Sequence, residues 1–261
     1  MVPPWAPNPI PPAGPPEPAP PTPEADATPP ANVPMAPAGR FGAARLNLGS
    51  FAASGSQKDM RRGVGHYARK GMGGGRTAAA RMGSTARTAG ALYGALTGLA
   101  NNQTGALGTG VDSSTLTGKS VDQIITAIIE RVRPVDGTQD AEADRSALQG
   151  ALSSELLEQF PDADLLELTE DQRLFIVERF TALDIFNQLM LNIGKAIQDN
   201  IPSISSQIAR LKELKNYIKQ TVAAEFREAR KAGGALNPRT VAGIVRKTID
   251  RSFEVFGDTE E

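Results

Sequence analysis

The sequence predicts an all-α protein. A C-terminal bundle of about five helices follows a basic, glycine- and arginine-rich segment that carries one Ala/Gly-rich helix, and a disordered proline-rich tail comes first. Three observations carry that expectation. Residues 120–258 repeat large apolar side chains at helical spacing. No strand pairs or hairpin turns occur anywhere in the chain. Of the 20 prolines, 16 fall between Pro3 and Pro37, and of the 26 glycines, 17 fall between Gly39 and Gly110. Proline removes amide donors and glycine raises the entropy lost on ordering, so the first hundred residues are poor material for a self-sufficient core. The expected division is a tail over 1–39, a partner-binding segment over 40–101, a linker over 102–119 and a helical domain over 120–258.

In the tail, proline fixes φ and too few apolar side chains are present to offset ordering entropy, which predicts extended, polyproline-like conformations. Trp5, within PPWAP, is its one residue that an aromatic-lined groove could recognise.

The segment from Arg40 to Gly75 shows no sustained period. Phe41, Leu46, Leu48, Phe51, Met60, Val64, Tyr67 and Met72 are separated irregularly by Arg, Gly and Ser, with at most a turn or two of helix over Asp59–Arg69. Such spacing fits a chain lying along another protein that supplies the apolar walls it lacks. Residues 40–90 carry ten Lys/Arg against Asp59 alone, whereas residues 111–261 carry 18 basic and 25 acidic side chains. A positive arm on a negative body can grip an acidic partner or meet nucleic acid. The candidate partner-binding residues are therefore Arg40, Phe41, Arg45, Leu46, Phe51, Arg61, Arg62, Tyr67, Arg69, Gly73, Gly74, Gly75, Arg76, Arg81, Met82 and Arg87. The run Gly73–Gly75 is also a candidate site of modification or cleavage.

Helical signals begin at Thr77. The helix predicted over 77–101 is Ala-rich, with Gly90, Gly94 and Gly98 at four-residue spacing, a smooth stripe that permits close helix approach. Ser120 and Gln123 form a capping-box pattern ahead of Val121, Ile124, Ile125, Ile128, Ile129 and Val132, and Pro134 stops that helix. A second helix is expected over Ala141–Phe160. Thr169 with Gln172 caps a third running to about Gln198, apolar on several faces and hence central. The fourth spans Ser203–Lys231 and ends at Gly233–Gly234. Asn237 as cap and Pro238 at the first helical position open the last.

Several chemistries are excluded by composition. There is no cysteine, so no disulfide, thiolate zinc site or thiol nucleophile. His66 is the only histidine and has no second ligand of its kind or paired nucleophile. Gly71–Thr77 lacks the spacing, the lysine and the preceding strand of a phosphate-cradling loop. Asp162, Asp164, Glu167, Glu170 and Asp171 do not follow a calcium-loop pattern, and the helix dipole accounts for carboxylates there. No signal peptide and no run of about 18 apolar residues is present, so a cytoplasmic protein without enzymatic activity, metal or cofactor is expected.

Arg40-Phe41, Ala44-Arg45, Asn47, Phe51, Ser54-Gly55, Gly63-Val64, Tyr67, Gly74-Gly75-Arg76, Ala80-Arg81-Met82-Gly83 and Ala89-Gly90 make a pattern that resembles the QatB family, the B component of the bacterial Qat anti-phage defence system. Pro3–Ala6 (PPWA) and the helical region after residue 119 also fit. Relatives tend to carry a short Gly/Ser leader before PPWA, where this chain begins Met1-Val2. The resemblance implies a partner, and protein substrate, of the system's QueC-like component QatC, in the company of an ATPase and a TatD-like nuclease. Related QueC-like defence proteins are implied to attach a deazaguanine to a polypeptide amine after activating its carboxylate with ATP. The alternative reading of the same basic arm is a nucleic-acid-binding accessory protein.

Overall fold

Eleven α-helices and two π-helical turns account for most of the residues described by the computed structural model, which are 37–108, 111–231 and 234–258. No strand occurs among them. The expectations for the proline-rich tail and for Gly233 fall on residues outside this set.

The C-terminal half matches its sequence signals closely. Helix α6 (Val121–Val132) opens with a reciprocal box: Gln123 N donates to Ser120 Oγ (3.3 Å) and Ser120 N donates to Gln123 Oε1 (3.1 Å). Helix α9 (Glu170–Gln198) opens the same way on Thr169 and Gln172. The expected second helix is α7 (Gln139–Gly150), a π-helical turn at Ala151–Glu155 and α8 (Leu156–Gln159). Helix α10 spans Ile204–Arg230, and α11 (Pro238–Asp258) starts where Thr240 N donates to Asn237 Oδ1 at 3.0 Å. As expected, α9 is central, burying fourteen of its residues, Phe180 and Leu189 completely.

The N-terminal half departs from expectation. Residues 40–75 are not an irregular strap: they form α1 (Gly42–Ser54), α2 (Gln57–His66) and a π-helical turn at Tyr67–Gly71. The single helix expected over 77–101 is two, α3 (Gly75–Arg81) and α4 (Gly83–Ala100), divided at Met82. Nor is 102–119 a linker to a separate domain. Leu107 and Leu116 are buried there, the latter on the short α5 (Ser113–Leu116), and α4 packs on both α6 and α9. The described residues form one compact unit.

The physical reason lies in small side chains. Ala44, Leu48, Phe51 and Ala52 recur at i, i+4, i+7 and i+8, and all are fully buried. Met60, Val64, Tyr67, Ala68 and Met72 continue the rule through α2 and the π-helical turn. Glycines bring the helices close. A Cβ on Gly63 would lie 2.5 Å from Leu48 Cγ, and one on Gly90 would lie 2.5 Å from the Pro238 carbonyl oxygen of α11. The apolar walls the segment lacks are thus supplied within the chain, by α9 and α11. A line of rings ties them together: Phe41 stacks on Tyr67 (5.7 Å), Tyr67 meets Phe253 (6.1 Å), and Phe253 and Phe256 lead on to Tyr217 of α10. Offset and tilted ring pairs of this kind add about 0.5–1.5 kcal/mol each beyond burial.

Candidate functional site: a basic face and its cleft

Folding sorts the sixteen candidate residues into three groups. Phe51, Tyr67, Gly75 and Met82 are buried in the chain's own core. Arg40, Phe41, Gly74 and Arg81 are half-buried. Arg45, Leu46, Arg61, Arg62, Arg69, Gly73, Arg76 and Arg87 are exposed, Leu46 to 72%.

Helix α2 and the π-helical turn place Lys58, Arg62, His66 and Arg69 at i, i+4, i+8 and i+11, with Arg61 and Lys70 beside them. This is a cationic stripe. Burial, then the charges of Lys70, Arg69 and Arg62, hold the His66 imidazole below its ordinary pKa. It is therefore neutral at pH 7 amid fixed positive charges. Arg61 lies over the Tyr217 ring at 5.8 Å, anchoring the stripe to α10. Elsewhere on the surface, Arg45 holds α1 to α9 by donating to the Asn192 carbonyl (Nη2, 3.0 Å).

The stripe runs into a cleft of about 590 Å³ between the start of α1, the π-helical turn and α3. Arg40, Arg69, Lys70 and Arg81 line it, with Gly39, Gly73 and Thr77. Arg40 sits 4.5 Å above the Phe41 ring, and Arg81 Nη1 donates to the carbonyls of Gly71 and Met72, both at 3.1 Å. Burial, followed by the charge of Arg40, lowers the Arg81 pKa from its ordinary value. Of the glycine run, Gly73 lines the cleft. Gly73 and Gly74 have φ of +85° and +83°, a region side chains strain to enter. Gly75 is pressed against α11.

Sequence reasoning passed over Lys58 and Lys70 as site residues. The three- and four-residue spacing of the basic side chains would have found them, had α2 been expected to run its full length. It also missed a buried polar knot. Asp184 and Asp144, 0% and 1% exposed, lie in the core between Thr85, whose hydroxyl donates to Asp184 (2.7 Å), and Arg133, whose Nε meets Asp144 at 2.8 Å. Burial and mutual repulsion push the Asp184 carboxyl well above the usual range. The signal was an aspartate set between Leu183 and Ile185 in the central helix.

Among the described residues, no cluster of three or more His, Asp or Glu side chains could hold a metal ion, and no helix is long and apolar enough to cross a membrane. Fold and face define a class: an all-α protein with one core and a concentrated cationic surface. Residues 73–256 match the family model described as Qat anti-phage system associated protein QatB. The chain belongs to the QatB family and is a component of the Qat anti-phage system. No curated protein and no solved structure shows significant similarity to it.

Proposed function

We propose that this chain is a non-enzymatic member of its defence complex that docks on the QueC-like component QatC, as a binding partner and as that enzyme's protein substrate. The contact runs through exposed candidate residues, Arg45, Leu46, Arg61, Arg62, Arg76 and Arg87. One observation carries this reading. Lys58, Arg61, Arg62, Arg69 and Lys70 are gathered on one exposed stretch of a chain that is otherwise acidic. Self-repulsion at such a stripe is relieved by an acidic partner surface. Phe51, Tyr67 and Met82 support the face from beneath rather than reaching the partner. The Qat ATPase and TatD-like nuclease are further partners in this reading, and the setting is cytoplasmic.

Deleting residues 40–98 is a poor test, because it removes Phe51, Tyr67 and Leu92 from the core. Charge reversal is cleaner. Co-expression with the QueC-like protein and pull-down of Arg61→Glu/Arg62→Glu should show weakened capture by a chain that is still folded. Undiminished capture would refute the contact. Intact-mass measurement with and without active partner tests whether Gly73–Gly75 is modified or cleaved, and an unchanged mass retires that idea. If the same face serves nucleic acid instead, the full chain alone binds an oligonucleotide with an affinity that falls steeply with salt.

A further inference from the structure

We propose that the cleft between α1, the π-helical turn and α3 is a binding site for a small polyphosphate, a ligand carrying two or more linked phosphates. Four cationic side chains, Arg40, Arg69, Lys70 and Arg81, converge on one concavity, and among the described residues lining it none is acidic. A volume of about 590 Å³ lies within the roughly 300–1,000 Å³ range of small-molecule sites. A surface patch for a duplex would be flat or ridged, whereas this one is recessed. Guanidinium forks match phosphate oxygens bidentately, and a lysine adds a point charge.

Two of the four cations are oriented before any ligand arrives. Arg81 is fixed by the carbonyls of Gly71 and Met72, and Arg40 rests on the Phe41 ring, itself stacked on buried Tyr67. Preorganised donors lose less freedom on binding. Gly73, exposed at positive φ, leaves the rim without a side chain. Arg81 is partly withdrawn from water and lies within the field of Arg40, and a bound anion offsets both. No aromatic side chain is among the described lining residues, so the site reads the phosphate chain and not a base. This site shares Arg69 and Lys70 with the cationic stripe, but the protein contact is tested at Arg61 and Arg62, outside the cleft, so either proposal can fail alone.

The test is isothermal titration of the full chain with inorganic triphosphate, orthophosphate and ATP at low salt. Triphosphate should bind, orthophosphate should bind at least about tenfold more weakly, and ATP should match triphosphate to within a few-fold. Arg40→Gln/Lys70→Gln should weaken triphosphate binding by about tenfold or more. The control Arg246→Gln/Lys247→Gln removes the same charge from exposed positions of α11 and should change it by less than about twofold. Circular dichroism confirms that each variant is folded. Absence of triphosphate binding, an equal affinity for orthophosphate, or equal losses in the two double variants would overturn the proposal. So would oligonucleotide binding by a chain that ignores triphosphate.

Discussion

Alanine at position 75 puts the packing of the glycine run to a direct test. A Cβ there would stand 2.2 Å from the Asp250 carbonyl oxygen, 2.5 Å from Asp250 Oδ1 and 2.9 Å from Glu254 Cγ. The nearest atom is backbone of a long helix, so no rotamer change relieves it. Reaching ordinary contact requires α3 and α11 to part by roughly 1 Å, which forfeits a quarter to a half of the dispersion along their seam. Overpacking of this kind costs about 1–3 kcal/mol. The helix-propensity gain from Gly to Ala, at most about 1 kcal/mol in a helix interior and less at the first turn, offsets only part of that. Gly75→Ala should therefore lower stability by about 1–2 kcal/mol net, read as a reduced urea midpoint with an unchanged slope. Gly243 supplies the opposite sign. It is exposed inside α11 with nothing within 4 Å of an added Cβ, so Gly243→Ala should stabilise by about 0.5–1 kcal/mol. If Gly75→Ala leaves the midpoint unmoved or raises it, the α3–α11 contact described above is wrong.

Other outcomes follow from the same geometry. Arg61→Glu/Arg62→Glu should weaken QatC capture by about tenfold or more while lowering stability by no more than about 1 kcal/mol, the worth of the exposed contact between Arg61 and the Tyr217 ring. The Asp184 carboxyl has its pKa raised in the folded chain, so its contribution to stability is complete below the unfolded value and is lost as pH climbs through the folded one. Asp184→Asn keeps an acceptor for Thr85 and removes that titration. Its stability relative to the unmodified chain should rise as pH climbs above the ordinary carboxyl value, and a difference constant with pH would contradict the buried-carboxyl account. Thr169→Ala deletes the α9 cap and should cost about 1 kcal/mol by thermal or urea melting.

Local chemistry was legible in the sequence, and distant packing was not. Ser120 with Gln123, Thr169 with Gln172, and Asn237 ahead of Pro238 announce helix starts because a cap needs only residues a few positions away. The four-residue glycine stripe also announced a close approach, met where Gly90 and Gly94 face Pro238. The helices over 42–71 escaped because their core positions are filled by Ala, Gly and Met as often as by large side chains. A glycine counts against a helix until its neighbour is known, and the neighbours of Gly63 and Gly75 are Leu48 and Asp250. The basic residues were legible as a charge excess. Their division into an outer stripe and a recessed cleft depended on a π-helical turn that no local pattern marks. Asp144 and Asp184 were invisible as a pair, 40 positions apart and on different helices.

Helix α11 closes against α2, α3 and α4, so elements far apart in the order of synthesis finish one another. Until Pro238–Asp258 emerges, Gly75 and Gly90 have no surface to rest on, and Tyr67 has no Phe253 beside it. At translation rates of about 5–20 residues per second, the nascent chain carries an uncovered, arginine-studded flank for roughly 10–35 s. A premature stop just ahead of Pro238 therefore uncovers helices made well over a hundred residues earlier.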